Sequence, residues 1–275
     1  MAYIKEYWKN KNLRAERAKI WTEYMEKNYT AEIEKASART KTWTGPIQSA
    51  RTEAIARKPK YSVVNAGVTD VIQETVKKYK EVAADGRRPK IAVLNFASYK
   101  NPGGMFLDGS KAQEECLCHE SFLYNVLKRQ TDYYAWNRMR LNKALYKDRA
   151  LYTPDVRFFK KGNIKADPDG VLCDVITCAA PNKSAAQKYT GVSDAENSAA
   201  LKDRIHFLLQ VATLNEAEVL ILGAYGCGVF GQDPKEVAAI FKDELEKFAF
   251  KEAVFAIIKS DRDNNYEAFE GVFGK

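Results

Sequence analysis

Histidine is almost missing: His119 and His206 are the only two in 275 residues. Common zinc sites and Ser-His-Asp relays need imidazoles converging from several places, so neither is expected, and no metal or cofactor is implied. Carboxylates and backbone amides are left to carry any chemistry. Long apolar runs are missing too, since stretches such as 219–222 and 253–258 fall well short of the ~20 residues a bilayer crossing requires. The start, MAYIKEYWKNKN, has no apolar signal-peptide core, and Cys116, Cys118, Cys173, Cys178 and Cys227 form an odd set. A reduced, cytoplasmic protein away from membranes is expected. With 15 Gly and 8 Pro the composition excludes collagen-like and low-complexity chains.

What is present is globular: 45% hydrophobic and 29% charged residues, with 15 Tyr, 13 Phe and 4 Trp, too aromatic for a solvated disordered chain. The length predicts one or two domains. Lys and Arg number 44 against 36 Asp and Glu, for a net charge of +8, which suits a polyanionic partner. Residues 3–40 contain no Gly or Pro, and Trp21, Tyr24, Met25 and Ala31 give a loose helical stripe. An N-terminal helical extension over 1–50 is expected. Its Lys and Arg are interspersed with Glu, which favours a flank packed on a core over a nucleic-acid arm.

After Gly45-Pro46 short apolar runs alternate with helical stretches, the pattern of a layered α/β domain over 51–275. Strands are predicted near 61–65, 91–97, 150–158, 171–179, 217–222 and 253–258. Helices are predicted at 69–83, 111–128, 132–147, 194–213, 234–249 and 264–272, and the polar stretch 159–170 reads as an exposed loop. The runs IAVLNFA, VLCDVITCAA and AVFAII are apolar on both faces, as in central strands covered by helices on both sides.

Two stretches carry the chemistry. In NFASYKNPGGMFLDGSKAQEE, from Asn95 to Glu115, the pair Gly103-Gly104 lets backbone approach a ligand closely. Ser110 and Gln113 have capping-box spacing, which predicts a helix starting near Lys111. Glu114 and Glu115 then fall at the end of its first turn, about 100° apart, so that one can face a cleft while the other supports it. Acidic residues there also merely complement the helix dipole. A working acid needs burial or a like charge to keep its proton, and each glutamate offers that charge to the other.

The second stretch, LGAYGCGVFGQDP from Leu222 to Pro234, follows an apolar strand and precedes a helix capped by Asp233 with Pro234 at its first position. Gly223, Gly226, Gly228 and Gly231 let successive amides turn inward as an anion-binding nest suited to a diphosphate. Phe230 either walls a sugar or packs on the sheet. Gly226-x-Gly228-x-x-Gly231 also matches a dinucleotide fingerprint, but the helix begins after the glycines and no acid follows at the required distance. No P-loop spacing occurs. Cys116, Cys118 and His119 share one helical segment without a second ligand pair, which favours core packing, and Cys227 is read as a small-residue fit.

With both loops in view, the sequence resembles the bacterial-type poly(ADP-ribose) glycohydrolases of the macrodomain superfamily. The family motif is three glycines, a short spacer and Gln-Glu-Glu; here Gly103-Gly104-Met105 is followed by seven residues and Gln113-Glu114-Glu115. Asn95-Phe96-Ala97, Ala179-Ala180-Pro181-Asn182 and the run Gly223 to Gly231 before Asp233-Pro234 match as well, so the resemblance spans about 60–260. It implies a three-layer αβα macrodomain-like mixed sheet and cleavage of the terminal ribose–ribose bond of poly(ADP-ribose) by a monomer, with ADP-ribose as product.

By the same resemblance Glu115 is the catalytic acid and Glu114 helps hold the terminal ribose. The implied substrate-binding set is Asn95, Ser98, Asn101, Gly103, Gly104, Met105 and Gln113 on one side. On the other it is Gly223, Ala224, Tyr225, Gly226, Cys227, Gly228, Val229 and Phe230, the stretch from Gly226 wrapping the diphosphate and Phe230 lying against the distal ribose. Asn65 is a candidate for the adenine. One departure is Met105 in place of the third glycine, a side chain where the family leaves backbone. The alternatives are removal of single ADP-ribose units from protein or nucleic acid, and a binding-only macrodomain.

Overall fold

The computed structural model describes residues 7–47, 58–82, 88–160 and 169–274. Seven strands form one mixed sheet: β1 (Lys41–Thr44), β2 (Lys60–Val64), β3 (Ile91–Phe96), β4 (Arg149–Phe158), β5 (Val171–Cys178), β6 (Val219–Leu222) and β7 (Glu252–Ala256), in the order β1-β4-β5-β3-β6-β7-β2. The five strands from β5 to β2 run parallel, and β4 and β1 are antiparallel. All six predicted strands are present. The seventh, β1, is a short and largely exposed edge, which has no apolar alternation for a sequence reading to find.

Alternation along the central strands divides the core into two layers. Ile91 and Val93 of β3, Cys173 and Val175 of β5 and Val219 and Ile221 of β6 face one apolar cluster. Ala92, Leu94, Ile176, Cys178, Leu220 and Leu222 face the other. The first face is covered by α1 (Lys11–Asn28), α2 (Thr30–Arg39), α3 (Val68–Val82), α4 (Gln113–His119), α5 (Leu123–Leu127) and α6 (Thr131–Arg138). On the second face lie α8 (Asp194–Leu214), α9 (Pro234–Leu245) and α10 (Asn265–Phe273), and α7 (Lys183–Thr190) sits beside them. The result is the three-layer αβα sandwich. Trp21, Met25 and Ile33 of the N-terminal helices are buried in the same cluster as Val93 and Val175, and the expected boundary at residue 50 lies outside the described residues.

Three helix expectations are corrected. The helix expected over 111–128 is two, because the Ser121 hydroxyl donates to Leu117 O (2.7 Å) and accepts from Leu123 N (3.0 Å), breaking the ladder. Trp21 Nε1 donates to the Ser121 carbonyl at 2.8 Å and fixes the break. The helix expected over 132–147 ends at Arg138, after which Asn142, Lys143, Ala144 and Tyr146 adopt positive φ of 47°, 54°, 63° and 64°. Helix α7 was not predicted, although Asn182 caps it through Ala185 N (3.0 Å) and Gly191 ends it left-handed. Most of the loop at 159–170 lies outside the described residues.

Arg204 of α8 holds the left-handed run in place. The side chain is fully buried; Nε pairs with Asp148 Oδ1 at 2.6 Å, Nη2 donates to Leu145 O at 3.2 Å, and Nη1 donates to Ala179 O. Arg204→Leu strands these acceptors and is expected to cost about 3 kcal/mol. A denaturant-unfolding midpoint unchanged by the substitution would contradict this account.

Candidate active site

The carboxyl end of β3 and the start of α4 are fastened to each other by one side chain. Gln113 Oε1 accepts the Phe96 N–H at 2.9 Å and Nε2 donates to Leu94 O at 2.7 Å, continuing the strand's pattern into the helix start. This overturns the capping box expected at Ser110. The helix begins at Gln113 with Ala112 before it and no side-chain cap, because Gln113 spends its amide on β3.

That fastening brings Glu114 and Glu115 to the strand end, both buried, with 3% and 6% of their surface exposed. Glu114 Oε2 accepts the Ser98 N–H at 2.7 Å and Oε1 accepts Asn95 Nδ2 at 3.2 Å. Glu115 Oε1 accepts the Met105 N–H at 3.0 Å, while Oε2 is buried and has no partner among the described residues. Burial pushes the Glu114 carboxyl up to about 8 and the adjacent Glu115 charge adds to the rise, against the pull of the Ser98 and Asn95 donors. Protons in such a pair belong to both groups. The dyad therefore keeps a proton near neutral pH.

Gly104 explains why glycine is needed beside the pair. It sits at φ +60°, and a Cβ there would lie 2.5 Å from Glu115 Oε1 and 3.1 Å from Glu114 Oε2. Met105 differs. Its φ of −110° accommodates a side chain without backbone strain, and that side chain is 52% exposed beside Glu115. Asn101 serves through backbone: its N–H donates to Ser98 Oγ at 3.2 Å and its carbonyl accepts Gly104 N at 3.1 Å.

The facing wall is the loop after β6. Gly226 at φ +77° lies against Ala180 and Gln232, each 2.9 Å from where a Cβ would stand. Gln232 in turn donates to Pro181 O at 2.8 Å and exchanges amide hydrogen bonds with buried Asn197. Among the described residues the amides of Gly226, Gly228, Val229 and Phe230 donate to no main-chain carbonyl, the condition an anion nest requires. Tyr225 is fully buried with its hydroxyl on Cys178 O (3.1 Å), so its side chain belongs to the core rather than to the cleft. Half-buried Phe230 meets Tyr146 edge-on, and Tyr146 stacks on Tyr99 with centroids 4.2 Å apart. Burial pushes the Cys227 thiol up to about 12, which leaves no thiolate for chemistry.

A cavity of about 660 Å³ opens beside the dyad across the carboxyl ends of β3, β6 and β7, where parallel α/β sheets place ligands. Phe96, Ala224, Ile257 and Ile258 supply apolar walls, with Asp70 of α3 and Trp8 at the edges. Trp8, Asp70 and Ile258 carry no motif, and sequence reasoning missed them. Asn65, expected at the adenine, does not line this cavity; its Oδ1 accepts Lys259 N at 2.8 Å and ties β2 to the chain after β7.

Trp8 is held by the N-terminal segment, which also clamps the loop before α4. Arg14 Nε donates to Gly109 O and Nη1 to Trp8 O, both at 2.7 Å. Burial pulls His119 down to about 4. The ring is therefore neutral, and its bonds assign the tautomer: Nε2 donates to Ser110 O (3.2 Å) and Nδ1 accepts from Tyr7 OH (3.0 Å). Cys118 is buried in the adjoining core. Among the described residues no cluster of three or more His, Cys, Asp or Glu side chains is placed to hold a metal, and no helix is long and apolar enough to cross a membrane.

Residues 14–161 match the family described as the microbial-type PARG catalytic domain, PARG being poly(ADP-ribose) glycohydrolase. The chain belongs to this family of glycohydrolases. The glycohydrolase of Thermomonospora curvata is similar at 26% identity with a TM-score of 0.79, covering 94% of this chain and 99% of that one. The same enzyme bound to the inhibitor ADP-HPD matches at 27% identity and a TM-score of 0.76, covering 94% of this chain and 98% of that one. That of Deinococcus radiodurans, in complex with ADP-ribose, is 30% identical with a TM-score of 0.74, over 88% of this chain and 97% of that one. No curated protein matches significantly.

The dyad's proton leaves a signature in stability. Glu114 rises from 4.5 to about 8 on folding, so its contribution is complete below about pH 4.5 and is lost as pH climbs through about 8. Glu114→Gln, neutral throughout, removes that loss. Thermal midpoints followed from pH 4.5 to 9 are expected to fall more steeply for the wild type than for the variant; parallel curves would exclude a raised Glu114.

Proposed function

We propose that this protein hydrolyses the ribose–ribose O-glycosidic bond at the end of poly(ADP-ribose) and releases ADP-ribose, with Glu115 as general acid and then general base. One observation carries the reading. Glu115 Oε2 is buried without a partner among the described residues while Oε1 is pinned by the Met105 amide, so one oxygen of this acid is left unspent, and its helix neighbours Gln113 and Cys116 line the cavity. The adenosine end of the substrate enters the cavity lined by Phe96, Ile257 and Ile258. The diphosphate lies along Gly226 to Phe230, and the distal ribose rests against Glu114, Asn95 and Phe230.

In the first step the proton held by the Glu114–Glu115 pair passes through Glu115 to the departing ribose oxygen as the C–O bond breaks, leaving an oxocarbenium-like sugar over the bound diphosphate. The carboxylate then takes a proton from water, whose oxygen bonds to the anomeric carbon, and the acid is regenerated. Paired glycosidase carboxylates flank the sugar from opposite faces. Glu114 cannot, because Asn95 and the Ser98 amide hold it beside Glu115. Its role here is to keep the pair protonated and to orient the ribose. Met105, half-exposed where the family motif has its third glycine, supports a second reading, removal of single ADP-ribose units.

Release of ADP-ribose from the purified polymer tests both. Glu115→Ala is expected to lower the rate by at least about 100-fold while calorimetric affinity for ADP-ribose persists. Wild type that binds ADP-ribose but releases none from the polymer would sink the polymer reading. Trp8→Ala is expected to weaken ADP-ribose about tenfold through loss of an aromatic wall, and calorimetry showing unchanged affinity would remove Trp8 from the site.

A further inference from the structure

The end of α6 and the segment leading from it into β4 are basic: between Asp132 and Asp148 stand Arg138, Arg140, Lys143 and Lys147 with no acid among them, and all four basic side chains are exposed. It is fastened to the loop that runs from β3 toward the dyad: Asn137 Nδ2 donates to Tyr99 O and Arg138 Nη1 to Lys100 O, both at 2.9 Å, and Tyr99 OH donates to Arg140 O at 3.1 Å. Two guanidiniums lie over the Trp136 ring, Arg140 at 4.5 Å and Arg149 at 4.2 Å from its centroid, contacts that hold Arg140 through cation–π attraction and leave its N–H donors for a ligand.

The acids around this surface do not cancel it. Asp148 is committed to Arg204, and Glu196 reaches only Lys143, at 3.9 Å. Lys100, Arg140 and Lys147 form no ion pair among the described residues. Met139 and Leu141, 81% and 40% exposed, interleave the charges with apolar surface, a combination that suits nucleotides rather than bare phosphate.

Its position gives it a role. In the sheet order the cavity lies over β6 and β7, the dyad at β3, and this segment leads into β4 on the far side. The stack Phe230–Tyr146–Tyr99 joins it to the glycine loop. A chain whose terminal unit fills the cavity and whose scissile bond meets Glu115 continues away from the cavity, toward Lys100 and Arg140.

We infer that Lys100, Arg138, Arg140 and Lys147, with Trp136 behind them, form a track that binds the diphosphates of the ADP-ribose units preceding the scissile bond. The inference rests on the reading of the site given above. It makes the protein bind polymer more tightly than its own product, by an electrostatic margin that salt removes.

Binding is measured in a Glu115→Gln background, so turnover does not intervene, with defined-length poly(ADP-ribose) and with ADP-ribose over a salt series. Arg140→Glu/Lys147→Glu is expected to weaken polymer about tenfold at low salt and to lower the salt slope by roughly one, with ADP-ribose affinity unchanged. The control, Lys27→Glu/Lys35→Glu on the N-terminal helices, carries the same charge change and is expected to have no such effect. Equal losses for polymer and monomer, an equal loss in the control, or no loss would each overturn the track. Single-stranded DNA of matched phosphate number competing as well as the polymer would overturn its assignment to ADP-ribose chains. Failure of the wild type to release ADP-ribose is a separate result and bears on the catalytic reading instead.

Discussion

Two adjacent carboxyl groups are taken out of water together at the end of β3, and the surrounding architecture answers that cost. Like charges side by side in a low-dielectric site repel and desolvate at once, so the fold supplies donors from both flanks. The Ser98 amide and Asn95 serve Glu114, and the Met105 amide serves Glu115. The loop that brings Met105 there must pass so close that Gly104 has no room for a Cβ. Gln113 sets the helix start against the strand. One oxygen, Glu115 Oε2, is left unserved among the described residues, and it is the one the proposed reaction uses.

The N-terminal helices belong to the same answer. Arg14 fixes the carbonyl of Gly109, where the loop turns into α4, and neutral His119 bonds Tyr7 and Ser110 without introducing a charge near the dyad. What reads in the sequence as a basic flank is a brace across the loop that leads into α4. The far side of the site is braced by Arg204, whose buried guanidinium holds the carbonyls of Ala179 and Leu145 and so fixes the wall on which Phe230 leans.

How much of this was legible depends on whether the signal was local. The central strands β3, β5 and β7 could be read because burial on both faces leaves a continuous hydrophobic string. The glutamates and the glycine loop could be read because their residue types and spacing are specific. The Ser110–Gln113 pair was misread because its spacing fits a cap, while the tertiary partner on β3 that takes the Gln113 amide lies seventeen residues back from it at Phe96. The break at Ser121 and the left-handed run at 142–146 were illegible for the same reason, being imposed by Trp21, Asn182 and Arg204. Met105 looked like an intrusion from sequence; its negative φ shows that the third position of the turn tolerates a side chain where the second does not.

Trp8 and Asn265 line one cavity although they stand at opposite ends of the described chain. Contacts of such sequence separation close late, after local helices and hairpins have formed. During synthesis the loop with its two glutamates emerges long before β7 and the residues beyond it that complete the cavity wall. A partly made chain therefore holds the buried carboxyl pair before the cavity beside it exists, and that cavity closes only as β7 and α10 dock.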